Sequence, residues 1–231
     1  MPNTDPISCR PFNATLVAEP PTLDPSSPML TVSFGQSTFD AEGLEAPGRF
    51  FSRALHWPGG ASGVTIGRGY DMGGRTRNQI ERELASAGLD SLSSAFLSRA
   101  AGLRGQAAAD FFRREKEGAP VLSLDVQNAL YERVTVPETV RDIQRIFSKP
   151  DTVSEYGAVS WSDLPRTVQE LVFDLRYRGD YTPGTREVIQ PLLVSRDWDG
   201  LRKAMQDTTY WEGRGVPANR IRSRASLAEN L

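Results

Sequence analysis

Between Pro58 and Gly74 the chain reads PGGASGVTIGRGYDMGG, which places Gly59, Gly60, Gly63, Gly67, Gly69, Gly73 and Gly74 within a single turn-rich stretch. Glycine reaches backbone conformations with positive φ at no steric cost and weakens any helix it enters. Only Val64-Thr65-Ile66 is strand-like here, so the stretch predicts a small hairpin or tight loops and excludes a helix. Upstream, Leu30 to Phe34 (LTVSF) alternates and is β-branched, which predicts a short strand.

From Thr76 onward the pattern changes to helix. Thr76 with Gln79 forms a capping-box pattern, followed by Ile80 and Leu84 on one face and Gly88 as a stop. Leu92, Phe96 and Leu97 predict a second amphipathic helix ending near Gly102, and Phe111 and Phe112 a third over residues 106–116. Val126, Leu130 and a segment beginning at Pro137 continue the 3.6 period. Leu164, Val168, Leu171, Val172 and Leu175 form the most apolar stripe, expected as the central buried helix. Residues 188–193, 198–205 and 216–227 complete the series. The predicted class is α+β and predominantly helical, a small glycine-rich β-hairpin element with a larger helical lobe. Seven of the 16 prolines fall within residues 1–28. Residues 1–30 are therefore expected as a proline-rich, flexible arm and residues 31–231 as the folded domain.

Composition removes several function classes. With 27 basic and 29 acidic residues in 231, the formal net charge is −2, which gives no electrostatic reason to expect nucleic acid or an anionic membrane as partner. No run approaches the roughly 20 apolar residues of a membrane helix, so membrane insertion is not expected. The N-terminus lacks a basic start followed by an apolar segment, so it is not a Sec-type signal peptide; synthesis in the cytoplasm, with any export by another route, is the expectation. Cys9 is the only cysteine and His56 the only histidine, which excludes an internal disulfide and multi-histidine or cysteine-rich zinc sites. No metal and no cofactor are expected, and carboxylates are left as the main source of acid–base chemistry. Gly67, Gly69 and Gly73 are spaced one residue off the dinucleotide fingerprint, with no βαβ context and no phosphate-loop lysine, so a nucleotide loop is excluded.

Two carboxylates stand out. Glu42 precedes Gly43 and an apolar segment (Phe50, Phe51, Leu55, Trp57), and a glutamate held against apolar groups has its pKa raised towards that of a general acid. Asp71 ends the glycine-rich stretch, where backbone amides and water favour the ionised form. One raised and one ordinary carboxyl group is the pairing that glycosidic hydrolysis uses, and Thr65 between them offers a hydroxyl to position water. On spacing alone, two solvated surface carboxylates remain the alternative. Glu45 is a rival acid, expected instead on the solvated surface.

Residues 62–73, SGVTIGRGYDMG, resemble the signature of the pesticin-like branch of phage-type lysozymes. Phage-type lysozymes place a catalytic Glu-Gly at the end of an N-terminal helix, followed by a hairpin carrying T-I-G-x-G with a functional Thr. Glu42-Gly43 and Thr65-Ile66-Gly67-Arg68-Gly69 match those elements. Ordinary phage lysozymes carry their Asp between Glu and Thr, whereas this chain has no Asp from Gly43 to Val64. The pesticin-like branch has it six residues after the Thr, where Asp71 stands. Leu171 to Gly179 (LVFDLRYRG) resembles the central helix of such a lobe. Arg196-Asp197-Trp198-Asp199, Tyr210-Trp211, Pro217-Ala218-Asn219-Arg220 and Arg224 resemble its last helices, so the likeness covers about residues 30–231.

The resemblance implies a lysozyme-like fold and a muramidase cleaving the β-1,4 bond between N-acetylmuramic acid and N-acetylglucosamine. Glu42 would protonate the glycosidic oxygen, Asp71 would orient or deprotonate the attacking water or stabilise oxocarbenium charge, and Thr65 would hold the water. Inversion is the expected stereochemistry. For substrate binding, Trp57 either stacks on a sugar or anchors its loop, and Tyr70 either braces Asp71 and the cleft wall or packs. Arg68 is expected at the surface, within reach of peptidoglycan carboxylates only if a turn redirects it. Arg196, Arg220 and Arg224 are expected in surface or helix-terminus pairs. The resemblance further implies an antibacterial effector acting in a target periplasm, delivered by machinery such as type VI secretion, with peptidoglycan strands and a cognate immunity protein as partners. A phage endolysin of the same chemistry and an inactive lysozyme-like binding module are the alternatives, and chitin or another glucan is an alternative substrate.

Overall fold

The computed structural model describes residues 30–45 and 51–231; the expected arm, apart from Leu30, lies outside the described residues. The protein is predominantly helical with one small antiparallel sheet, in the order expected. Helix α1 (Gln36–Ala41) comes first, then strands β1 (Thr65–Ile66) and β2 (Tyr70–Asp71) and a 3-10 turn at Met72–Gly74. Helices α2 (Arg77–Ser86), α3 (Ser91–Ser98) and α4 (Gly105–Glu115) follow. A long helical rod comprises α5 (Leu124–Leu130), a π-helical turn (Tyr131–Thr135) and α6 (Val136–Phe147). The remainder comprises α7 (Pro150–Tyr156), α8 (Arg166–Arg178), α9 (Pro183–Ser195), α10 (Trp198–Gln206), α11 (Thr208–Glu212) and α12 (Ala218–Ala228).

Two hydrophobic cores divide the fold. The smaller gathers the hairpin and α2–α5 around residues such as Val64, Ile66, Met72, Leu84 and Leu97. The larger surrounds α8, whose Val168, Leu171, Val172, Phe173 and Leu175 are fully buried, as the apolar stripe predicts. Phe39 of α1 belongs to this larger core, packed edge-on against Tyr131 with ring centroids 4.9 Å apart. Glu42, which follows α1, therefore lies at the seam between the helical lobe and the hairpin lobe.

The predicted strand at Leu30–Phe34 does not form. Val32 N–H donates to the Gln36 side chain at 2.9 Å and Ser33 N–H to Glu132 of the π turn, so the donors a ladder needs are taken by side chains instead. The helical segment expected from Pro137 forms as α6, which starts one residue earlier and continues the rod. The π turn preceding it carries the Val136 N–H back to the Tyr131 carbonyl, five residues away, and the rod continues through the proline. A widened turn of this kind accommodates a proline that would clash in regular α geometry. Thr76 caps α2 through Gln79 N–H at 3.3 Å, but Gln79 reaches forward to Glu83, so only half of the capping box is made.

Candidate active site

The hairpin is held on both edges. Thr65 pairs with Asp71 and Ile66 with Tyr70, while Thr65 also exchanges two backbone hydrogen bonds of 2.9 Å with His56. Directly opposed residues of an antiparallel pair point to the same face, so the ladder brings Thr65 and Asp71 together and sends Tyr70 to the other side. Asp71 is fixed by amides, as its glycine-rich setting predicts: Gly63 N–H donates to Oδ2 at 3.2 Å and Gly73 N–H to Oδ1 at 2.6 Å. A Cβ built on Gly63 would stand 2.0 Å from Asp71 Oδ1, so no other residue fits beside that carboxylate. Thr65 is buried, its Oγ1 donating to the Gly63 carbonyl at 3.3 Å.

Glu42 is the C-cap of α1, its N–H bonded to the Phe39 carbonyl at 3.3 Å. The following residue has to be glycine: a Cβ on Gly43 would lie 2.5 Å from the Ser52 Cβ. Glu42 Oε1 accepts from Arg220 Nη1 at 2.9 Å, across 178 positions of chain. Burial raises the Glu42 pKa above the ordinary glutamate value, a rise that Arg220 and Arg178 oppose and Asp174 reinforces. Arg220 falls short of cancelling the burial effect because its guanidinium is shared. Its Nε donates to Asp174 Oδ2 at 3.1 Å and its Nη2 lies 2.6 Å from Oδ1. The apolar segment at residues 50–57 does not supply this burial: Leu55 and Trp57 serve the smaller core, and Phe50 lies outside the described residues.

Behind Glu42 lies an ion cluster that was not predicted. Asp174 occupies the middle of the apolar α8, accepting from Thr38 Oγ1 at 2.8 Å and from Arg224 Nε at 2.6 Å besides Arg220. Asp180 Oδ2 takes Arg224 Nη2 at 2.5 Å. Despite desolvation, the two guanidiniums hold the Asp174 carboxyl below the usual range. Arg220 and Arg224 are thus interior residues, at 4% and 1% exposure, and not the surface or helix-end pairs expected. An aspartate one turn deep in the most apolar helix demands buried cations, and positions 220 and 224 present two on one helical face. That isolated charge within LVFDL was the available sequence signal. Arg196 stays outside the cluster, capping α9 in the left-handed conformation at φ 56°.

Two other expectations need correction, those for Glu45 and Arg68, while Tyr70 takes the packing alternative. Glu45 is not a solvated surface group: its side chain is 7% exposed and receives Arg68, Arg53 and Gln127 at 2.9, 2.9 and 2.7 Å. These donors outweigh desolvation and lower its pKa, the opposite of what a general acid requires. Arg68 is buried, not at the surface, because the turn between Gly67 and Gly69 aims it inward at the end of α1. Tyr70 packs instead of bracing Asp71. It is buried on the opposite face, donates to Glu83 Oε2 at 2.6 Å and lies under the Arg75 guanidinium at 4.4 Å. Trp57 is half-buried and spends its indole N–H on the Ser62 carbonyl at 3.2 Å, which anchors the loop before β1.

A cleft of about 280 Å³ lined by Gln79, Arg82, Glu83, Arg133 and Arg141 shares no residue with Glu42, Thr65 or Asp71. Among the described residues, no three His, Cys, Asp or Glu side chains are grouped as a metal site requires, and no helix is long and apolar enough to cross a membrane. No curated protein matches the chain. Residues 35–225, which run from the start of α1 into α12 and take in Glu42, Thr65, Asp71 and the ion cluster, match a family model, and the chain belongs to that family, described as "Domain of unknown function (DUF8812)".

Proposed function

We propose that this protein is a lysozyme-like muramidase that hydrolyses the β-1,4 linkage between N-acetylmuramic acid and N-acetylglucosamine in peptidoglycan. The observation that carries the reading is the contrast between its carboxylates. Glu42 is kept protonated to higher pH by burial, while Asp71, on a hairpin docked to the end of the Glu42 helix, has both oxygens turned to backbone amides. A carboxyl group whose charged form is disfavoured and a second carboxyl group fixed in place on the hairpin are the two groups glycosidic cleavage needs.

In this mechanism Glu42 donates its proton to the glycosidic oxygen as the bond to the anomeric carbon breaks. Asp71 accepts a proton from the attacking water, and Thr65, opposite it on β1, orients that water through its hydroxyl. Arg220 holds the Glu42 carboxyl and stabilises the anion left after proton transfer, which lowers the cost of the developing charge. The expected outcome is inversion at the anomeric carbon. The role as an antibacterial effector, exported to a target periplasm and neutralised by an immunity protein, rests on the sequence resemblance and belongs to the same proposal.

The test is digestion of purified sacculi by wild type, Glu42→Gln and Glu45→Gln, with separation of the muropeptides. Muramic-acid reducing ends from wild type and none from Glu42→Gln support the reading. Equal digestion by wild type and Glu42→Gln removes Glu42 from the role of acid. Binding of sacculi without any new reducing end turns the reading to a glycan-binding module.

A further inference from the structure

We propose that Arg68 is the positioning residue of the acid, a clamp that ties the end of α1 to the hairpin turn and fixes Glu42 relative to Thr65 and Asp71. The inference rests on the muramidase reading and gives Arg68 a different task from the substrate contact its sequence position suggests.

Arg68 lies at the tip of the hairpin between Gly67 (φ +62°) and Gly69 (φ +83°). These left-handed flanks fold the chain back so that the side chain leaves the strand ladder and runs to α1. There Nη1 donates to the carbonyls of Phe39, at 2.5 Å, and Gly43, at 3.1 Å, which bracket Glu42. Nη2 donates to Glu45 Oε1 at 2.9 Å, and the guanidinium stacks over the Phe39 ring at 4.1 Å. The turn itself is held from behind, since Tyr177 Oη donates to the Arg68 carbonyl at 2.9 Å. With both terminal nitrogens engaged and 6% of the residue exposed, Arg68 has little to offer a substrate carboxylate.

The helix it grips needs gripping. At six residues α1 is too short to persist on its own, and the Phe39 carbonyl, which takes only the Glu42 N–H from its own segment, has a second lone pair for the guanidinium. A planar guanidinium meets two carbonyls and a carboxylate at once, which a lysine ammonium on a flexible stem cannot reproduce. Arg220 holds the Glu42 carboxyl from the helical lobe, and Arg68 holds the Phe39 and Gly43 carbonyls on either side of Glu42 from the hairpin lobe. Arg68→Lys keeps the positive charge, so a change of Glu42 titration in that variant reports position and not the loss of a cation.

The decisive variant is Arg68→Lys, with Arg68→Gln/Glu45→Gln, which removes both buried charges together, measured alongside in case the single change does not fold. Circular dichroism checks folding. Initial rates on soluble glycan-strand oligomers give kcat and KM, and the Glu42 carboxyl carbon, assigned by its loss in Glu42→Gln, is titrated by NMR. The expected result is a folded protein with KM near wild type, kcat reduced about 10- to 100-fold, and Glu42 titration displaced towards ordinary glutamate. A folded variant with wild-type kcat and unchanged titration overturns the proposal, and so does a raised KM at constant kcat, which returns Arg68 to substrate binding. Should wild type show no activity, the muramidase reading fails separately and the titration alone decides. Displacement in Arg68→Lys but not in Tyr70→Phe sustains the clamp, and its absence overturns it.

Discussion

Asp174→Asn tests whether the ion cluster behind Glu42 does what its geometry says. The carboxylate is 3% exposed and meets Thr38, Arg220 and Arg224. Removing one partner of a buried ion pair costs about 3–5 kcal/mol, because the other charge is left in low dielectric. Here Arg220 keeps Glu42 and Arg224 keeps Asp180, so the loss falls at the low end, about 3 kcal/mol. For a chain of this length that lowers Tm by about 6–12 °C. The pH dependence follows from the low Asp174 pKa. A carboxyl depressed on folding stabilises the protein above its unfolded pKa, near 4, and the contribution disappears as pH falls through the folded value. The Tm gap between wild type and variant is therefore widest near neutrality and closes in acid. The same change releases Arg220 to Glu42 and deletes the anion that pushes Glu42 upward, and both effects lower the Glu42 pKa. Since Glu42 must be protonated to act, activity falls as pH rises through its pKa, and in Asp174→Asn that alkaline limb moves to lower pH. Thermal unfolding from pH 3 to 8 and a pH–rate profile read both effects. A wild-type Tm at pH 7 refutes the buried-pair argument, and an alkaline limb that stays put or moves upward refutes the coupling to Glu42.

Glu42→Gln lowers the initial rate on sacculi by about 10²–10⁴-fold without lowering Tm, because the buried group it replaces disfavours its own charge; a stable variant with full activity excludes the assigned acid. Gly63→Ala, whose Cβ would meet Asp71 Oδ1 at 2.0 Å, is expected to cost about 1–3 kcal/mol and most of the activity, whereas Gly118→Ala, with nothing within 4 Å, leaves both unchanged. Tyr70→Phe removes the hydroxyl bonded to the Glu83 carboxylate and lowers stability by about 1.5–3 kcal/mol with kcat and KM at wild-type values; a change in kcat would return Tyr70 to the site.

The parts of this protein readable from sequence are those set by neighbours along the chain. Glycine spacing announced the hairpin, a 3.6-residue apolar period announced α2–α6 and α8, and Thr76 marked a helix start. The errors fall where partners are distant. Arg68 and Glu45 look like surface charges until the fold sets them 2.9 Å apart, and Arg220 meets Glu42 only across the length of the lobe. Pro137 marks the first turn of α6, and what it leaves unsignalled is the π turn that joins this helix to α5. LTVSF has the composition of a strand but no partner, and a strand without a ladder gives way to whatever captures its donors, here Gln36 and Glu132. Asp174 is the instructive case. One charge inside an apolar stripe was evidence of buried arginines, since an unpaired carboxylate there would be prohibitively costly.

The two arginines divide the control of one carboxyl group between the two lobes. Phe39 roots α1 in the larger core, and Ile66 and Tyr70 root the hairpin in the smaller one. Arg220 reaches Glu42 from α12 on the first side, and Arg68 reaches the carbonyls around it from the second. These ties constrain different things. Arg220 touches the carboxylate, so weakening or freeing it changes when Glu42 gives up its proton. Arg68 holds the carbonyls on either side of Glu42 and the Glu45 carboxylate but not the Glu42 carboxyl, so loosening it changes where the proton is presented relative to Thr65 and Asp71 and, with that, the surroundings in which Glu42 titrates. Asp174→Asn should therefore displace the alkaline limb with little loss of rate at its optimum, while Arg68→Lys should depress kcat even at the optimal pH. If Arg68→Lys keeps the wild-type rate at its optimal pH, or Asp174→Asn loses as much rate there as Arg68→Lys does, the carboxylate and its backbone are not held independently, and the division of labour between the lobes is wrong.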